Sequence, residues 1–257
     1  GMNALASQNF TSSTDSYNIG IGYQAGYLVT TGTNNTLIGG LAGDAITTGN
    51  RNTALGQSAL GATTTANDTV GIGHNALALN TTGANNTSVG TYSLATNSTG
   101  ANNTAVGYSS LTANTTGASN TAIGFSSMSA STTGGNNTAV GQYSLTANTT
   151  GYQTVSIGDE SLAASTTGAA NVAVGYRALK ANTTASNNTA VGYTSLSANI
   201  TGGNNVAIGY EALLSDTAGL NSVAVGLRAL KAQNFTSATN VYNTAVGYNT
   251  GASVSTG

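Results

Sequence analysis

The sequence predicts an all-β protein, a parallel β-solenoid or β-roll whose 17-residue coils stack into an elongated rod. Three observations predict this fold. A glycine recurs at a fixed spacing, a short β-branched segment stands directly before each glycine, and a turn segment closes each unit. Self-similarity of this kind is typical of solenoids, in which each repeat contacts only its neighbours.

The recurring glycine defines the repeat. We number it position 0 and the sixteen residues after it positions 1 to 16. The 17-residue series is Gly22, Gly39, Gly56, Gly73, Gly90, Gly107, Gly124, Gly141, Gly158, Gly175, Gly192, Gly209 and Gly226. The next glycine of the series, Gly247, follows after 21 residues, so one coil carries a four-residue insertion. No linker interrupts the period, and we expect residues 1–257 to form a single continuous solenoid of about 14 coils.

The segment before the glycine, NTAVG in many units, has the pattern of a short strand. Position 16 is always aliphatic and position 14 is Thr, Val or Ile, as in Thr104 and Val106, so we expect these larger side chains to face the core. Position 4 is mostly Leu or Met, for example Leu111 and Met128, and forms a second expected core column. Positions 2 and 5 are expected to face water because they hold most of the charge. These charged residues are Glu160, Arg177, Lys180, Glu211, Arg228 and Lys231.

The remaining positions predict turns and a ladder. In Asn114–Gly117, with sequence NTTG, we expect the glycine to supply the positive φ of a tight turn. The segment YSSLTA suits either one short helical turn per coil or a bent strand, and the bent strand is the preferred interpretation. Position 13 carries an asparagine in most coils, which predicts a ladder of stacked amides. Its members are Asn18, Asn35, Asn52, Asn86, Asn103, Asn120, Asn137, Asn171, Asn188, Asn205 and Asn243.

Composition argues against several functions. Only 5% of the residues are charged and the net charge is −2, so the chain has no basic patch for nucleic acid. No apolar run is long enough for a membrane helix, which predicts no membrane insertion in this segment. We expect no enzyme activity, catalytic residue, metal site or cofactor, because titratable groups do not converge. His74 is interpreted as a substituent of position 1, and Asp159 and Glu160 as surface residues that aid solubility.

A second, longer period overlies the coils. Residues 1–32 align without a gap with residues 226–257, including QNFTS and the four-residue insertion, and the offset is 225 residues. We therefore expect the chain to be an excerpt of a longer fibre that repeats this block in tandem. The insertions should protrude as a bulge in which Phe10 and Phe235 fold back onto the coils.

The segments NNTAVGYSSL and NTTGASNTAIG resemble two related groups of proteins. One is the head β-roll of trimeric autotransporter adhesins, with its NSVAIG strands, and the other is the repeat region of bacterial and phage tail-fibre-domain proteins. The second resemblance covers essentially the whole chain. It implies a parallel β-roll, an extracellular, cell-surface or virion location, a homotrimer and a role in surface attachment.

Two surface rows are candidates for binding. The tyrosines at position 1, among them Tyr108, Tyr176, Tyr193 and Tyr210, either stack on sugar rings or form a packing ladder between coils, and the ladder is preferred. Adjacent threonines such as Thr115 and Thr116 form a regular array that could order water. We expect a non-enzymatic structural fibre or surface appendage that associates with itself as a homotrimer or an end-to-end filament. The alternatives are a phage tail-fibre or adhesin segment that binds host glycans directly and, less favoured, an ice-binding protein.

Overall fold

The computed structural model describes residues 1–256 and confirms the predicted parallel β-solenoid with about 17 residues per turn. The chain divides into two compact units. The N-terminal unit contains Gly1–Ser126 and Ala130–Thr133, and the C-terminal unit contains Ser127–Ser129 and the residues from Gly134 onward. The described residues contain no helix.

The N-terminal unit holds seven three-residue strands, each paired in parallel with the strand one coil away. Equivalent positions lie opposite each other, as in the pairs Thr104 with Thr121 and Val106 with Ile123. The strands are β1 (Ile19–Ile21), β2 (Thr36–Ile38), β3 (Thr53–Leu55), β4 (Val70–Ile72), β5 (Thr87–Val89), β6 (Thr104–Val106) and β7 (Thr121–Ile123).

The C-terminal unit repeats this arrangement. Its strands are β8 (Thr138–Val140), β9 (Val155–Ile157), β10 (Val172–Val174), β11 (Thr189–Val191), β12 (Val206–Ile208), β13 (Gly219–Leu220), β14 (Val223–Val225), β15 (Thr239–Asn240) and β16 (Thr244–Val246). The two-residue strands β13 and β15 pair with each other. The other seven strands pair in parallel in chain order, each with the three-residue strand one coil away.

The segment after each glycine forms consecutive turns. It is neither the bent strand that the sequence favoured nor the alternative helical turn. Positions 2 and 4 both have left-handed backbone conformations, for example Ser109 at φ +52° and Leu111 at φ +52°. The neighbouring positions are not left-handed. The backbone therefore alternates in handedness here, which is unusual for leucine.

Backbone hydrogen bonds run mainly from coil to coil. The amide of Ser109 donates to the carbonyl of Thr91 in the preceding coil (3.0 Å), whereas the amide of Leu94 donates to Ser110 in the following coil (3.0 Å). A single coil has few partners for these groups, while ordering its 17 residues costs roughly 17–34 kcal/mol. Stacking is therefore a condition of folding.

The Leu column faces inward as predicted, but the expectation for the strands is wrong. Leu111, Met128 and the other position 4 residues from Leu60 to Leu213 are fully buried. On the strands the small residue at position 15 is the buried one, as Ala105 and Ala122 show. The aliphatic residues at position 16 face outward, and Ile21, at 57% exposure, is the most exposed of them in the N-terminal unit.

The reversed orientation follows from the narrow interior of the coil. A Cβ added at Gly71, at position 15, would lie 3.1 Å from the Cγ of Leu60. Where Leu37 occupies position 15, position 4 is glycine in two adjacent coils, and Cβ atoms at Gly26 and Gly43 would lie 2.6 and 2.7 Å from the Leu37 methyl groups. Positions 4 and 15 together thus have room for one large apolar side chain and one small one.

The predicted asparagine ladder at position 13 is present. The side-chain oxygen of Asn103 accepts from both the backbone amide (3.0 Å) and the side-chain amide (3.2 Å) of Asn120 in the next coil. Asn103 also donates to the carbonyl of Gly117 (2.9 Å). These amides are almost completely buried, so the ladder satisfies polar groups inside the coil.

A second amide ladder lies at position 7, which the sequence analysis assigned only to turn chemistry. The side-chain amide of Asn114 donates to the side-chain oxygen of Asn97 (2.7 Å). The side-chain amide of Asn97 in turn donates to the side-chain oxygen of Asn80 (2.8 Å). The glycine of the same segment also differs from expectation, because it lacks a positive φ. A Cβ at Gly100 would collide with the carbonyl oxygen of Gly117, so the close approach of these two coils favours glycine, although alanine occupies the same position at Ala66 and Ala185.

Candidate interaction surfaces

The outward side of the strands forms an apolar surface that we call the sheet face, defined by positions 14 and 16. In the N-terminal unit Leu55 and Ile123 are 45% and 39% exposed. In the C-terminal unit Ile157 and Ile208 are 39% and 38% exposed. Their neighbours at position 14 are Thr or Val and are half-buried. A run of β-branched and aliphatic side chains on seven parallel strands is an apolar surface of the kind that marks interaction sites.

The predicted tyrosine row is present at position 1. In the C-terminal unit Tyr176, Tyr193 and Tyr210 form a continuous stack, with ring centroids 5.2 and 5.1 Å apart and ring planes 20° and 7° apart. In the N-terminal unit Tyr108 stacks on Phe125 at 5.4 Å. Because a ring lies against each face of Tyr193, the row presents ring edges to solvent, and a sugar would contact these edges. Binding of a ligand by the row stays a prediction.

The threonine pairs divide into two columns with different roles. Position 8 uses its hydroxyl between coils, as where Thr115 donates to the carbonyl of Thr132 (3.1 Å). Position 9 is exposed, and its hydroxyls donate to no group among residues 1–256. We call this column the threonine row. Its members are Thr31, Thr48, Thr65, Thr82, Thr99, Thr116 and Thr133 in the N-terminal unit, and Thr150, Thr167, Thr184 and Thr201 in the C-terminal unit.

The charged positions lie at the surface but are only partly exposed, since they pair across coils. Glu160 accepts hydrogen bonds from Lys180 (2.8 Å) and Arg177. Glu211 forms ion pairs with Lys231 (2.7 Å) and Arg228 (2.9 Å), and its side chain is 15% exposed. The lysine and arginine hydrogen bonds lower the pKa of both glutamates. These ion pairs therefore link each glutamate to the next coil.

The predicted bulge has an anchor that the sequence analysis missed. Phe10 and Phe235 are half-buried, and exposed residues follow each of them, residues 11–15 and 236–238. The side-chain oxygens of Asp216 accept from the backbone amide of Phe235 (3.1 Å) and the side-chain amide of Gln233 (2.6 Å). Asp216 is fully buried at ladder position 7, where the two preceding coils carry Asn182 and Asn199. In the sequence, an aspartate at a position that holds asparagine in the two preceding coils indicates a site where the side chain only accepts hydrogen bonds.

The remaining titratable side chains do not form a common site in the described residues. Among residues 1–256 no pocket is found, and no group of three or more His, Asp or Glu residues could hold a metal ion. His74 contacts the edge of Tyr92, with ring centroids 5.3 Å apart, as a member of the position 1 row. Within the described part of the chain no helix has the length and apolar character to cross a membrane.

No protein-family model, no curated protein and no solved structure matches this chain. The resemblance to tail-fibre-domain and adhesin-head repeats therefore stays a hypothesis based on the repeat motifs.

Proposed function

We propose that the chain is a segment of a non-enzymatic extracellular structural fibre or surface appendage that serves attachment and assembles with copies of itself. The observation that carries this proposal is the sheet face, because its large aliphatic side chains point outward from the coils. Homotrimers or larger fibres would remove this surface from water.

The extent of the sheet face supports such an assembly. Exposed aliphatic residues at position 16 occur along both units, for example Ile21, Leu55 and Ile123 in the N-terminal unit and Ile157 and Ile208 in the C-terminal unit. The Glu160 and Glu211 ion-pair clusters lie at positions 2 and 5, outside the sheet face, whereas the exposed Arg51–Asp68 pair at position 12 lies two residues before its strands.

The test is the oligomeric state of the soluble chain, measured by sedimentation equilibrium and native mass spectrometry over a range of concentrations. We expect a trimer or a larger assembly. The double substitution Ile157→Glu with Ile208→Glu should shift it to monomers, because two carboxylates would be buried without partners. The matched control, Thr167→Glu with Thr184→Glu on the threonine row, should leave the assembly intact.

A monomeric wild-type chain at every concentration would contradict the assembly. Circular dichroism of both double variants distinguishes loss of assembly from loss of folding. Binding of the wild-type chain to specific members of a glycan array would instead favour the adhesin alternative, in which this segment itself contacts host sugars.

The threonine row favours ice binding as a second candidate. Its exposed hydroxyls recur at about the 4.8 Å spacing of parallel strands, which gives a regular array on which water could order. Thr82→Tyr with Thr99→Tyr should abolish any ice shaping or inhibition of ice recrystallisation. Gln57→Tyr, an exposed change at position 1, is the control. Absence of both effects in the wild-type chain would remove this candidate.

A further inference from the structure

The three stacked tyrosines of the C-terminal unit form a cluster of oxidisable groups outside the sheet face and the threonine row. The rings of Tyr193 and Tyr210 are almost parallel, 7° apart, with centroids separated by 5.1 Å. Tyr176 extends the stack at 5.2 Å. Tyr193 and Tyr210 are 46% and 41% exposed, so solvent reaches the edges that carry the phenol groups.

We propose that this stack is a site of oxidative tyrosine cross-linking, in which Tyr193 forms a dityrosine with Tyr176 or Tyr210. The co-reactant is a peroxide acting through a peroxidase. Each of two phenols loses one electron and one proton, and the resulting radicals join through a carbon–carbon bond between ring positions ortho to the hydroxyls. The ortho hydrogens then return to the oxygens and restore the phenols. Overall, two tyrosines and one hydrogen peroxide give one dityrosine and two waters.

The geometry favours coupling within the stack over coupling between chains. Each tyrosine is held against its partner by the coil-to-coil stacking, and pre-positioned reactants behave as if present at very high local concentration. The rings need only slide and tilt for two ortho carbons to meet. A bond between Tyr193 and either neighbour would covalently join two adjacent coils, in a chain that contains no cysteine and hence no disulfide.

The chain also contains aromatic contacts that should not react in this way. Tyr108 stacks on Phe125 at a similar distance, 5.4 Å, but phenylalanine has no phenol to oxidise. Tyr92 and Tyr108 meet edge-on, with ring planes 90° apart and centroids 6.3 Å apart. Exposed Tyr152, which lies outside position 1, serves as an unstacked control.

The experiment treats the wild-type chain with peroxidase and hydrogen peroxide and measures dityrosine fluorescence, the mass loss of two hydrogens and the linked peptides. Arg177 and Lys180 lie between Tyr176 and Tyr193, so that cross-link joins two tryptic peptides, whereas a link from Tyr193 to Tyr210 lies within one. We expect the yield per chain to be independent of protein concentration. Tyr193→Phe should lower intrachain dityrosine at least tenfold, and Tyr152→Phe should leave it unchanged.

Three results would overturn the proposal. The first is cross-links that join only different chains, with a yield that rises with concentration. The second is dityrosine spread over the unstacked tyrosines, and the third is an unchanged yield in folded Tyr193→Phe. The circular dichroism spectrum of each variant identifies a change due to misfolding.

Discussion

The interruption of the position 7 amide ladder at Ser165 allows a direct test of what the ladder contributes. Ser165 is fully buried and its hydroxyl has no hydrogen-bond partner. In the following coils Asn182 donates to the carbonyl of Ala185 (3.1 Å), and Asn199 donates to the side-chain oxygen of Asn182 (3.2 Å). Asparagine at 165 would place the same amide between the coils of Asn148 and Asn182.

The expected gain can be estimated from the missing contacts. Ser165→Asn adds two amide hydrogen bonds at about 1 kcal/mol each and removes one buried unpaired hydroxyl, worth about 1 kcal/mol. Ordering the longer side chain costs roughly 1 kcal/mol. The free energy of unfolding should therefore rise by about 1–2 kcal/mol. For a chain of this length that raises Tm by roughly 2–6 °C.

The assay is thermal and urea unfolding followed by circular dichroism, with hydrogen exchange to locate the gain in the coils around residue 165. Ser165→Ala removes the unpaired hydroxyl without adding an amide, so it separates the two contributions. Asn182→Ser should lower stability by breaking the ladder one coil further on. If Ser165→Asn is no more stable than Ser165→Ala, the reasoning about the ladder is refuted.

Three further predictions concern stability. Leu145→Ala empties a fully buried position and should cost about 2–5 kcal/mol in urea unfolding; a loss below about 1 kcal/mol would contradict the assigned core. Ala170→Asn, at φ +54°, should raise the free energy of unfolding by about 0.5–1 kcal/mol, because asparagine tolerates left-handed backbone, whereas the same change at Ala181 should give no gain. Lys231 lowers the folded-state pKa of Glu211. The ion pair between them therefore stabilises the folded chain above pH 4.5, and this stabilisation is lost as the pH falls through the lowered pKa. The difference between wild type and Glu211→Gln, at most about 1 kcal/mol, should therefore disappear in acid, and a constant difference would argue against the ion pair.

The sequence predicted the period, the Leu column and the position 13 ladder because each is a repeated residue type with one plausible environment. It failed on the strands, because Thr104 and Val106 suit either side of a sheet, and larger side chains were assumed to face inward. The small residue between them, Ala105 at position 15, is the better indicator of which side of the strand faces the core. Position 15 is nearly always Ala, Ser or Gly, which indicates a contact too close for a larger side chain.

The left-handed turns were beyond prediction for a related reason. Positions 2 and 4 carry residues such as Tyr92, Arg177 and Leu179, which do not favour positive φ by themselves. Coil-to-coil hydrogen bonds and burial of the leucine impose that conformation, so no local residue preference reveals it. At position 12 the frequent asparagine, such as Asn102 at φ +60°, does carry a local signal.

The exceptions to the pattern indicate which quantity the repeat conserves. Leu37 occupies the small position 15, and Gly26 and Gly43 occupy the leucine position in its own coil and the coil after it. In those same two coils the ladder position carries Val29 and Ile46, both fully buried, in place of asparagine. Three positions thus change together, and the apolar volume lost at position 4 returns at positions 15 and 7. Because the replacing side chains extend between neighbouring coils, what is conserved is the filled interior of adjacent coils, and the residue type at each position is secondary to it.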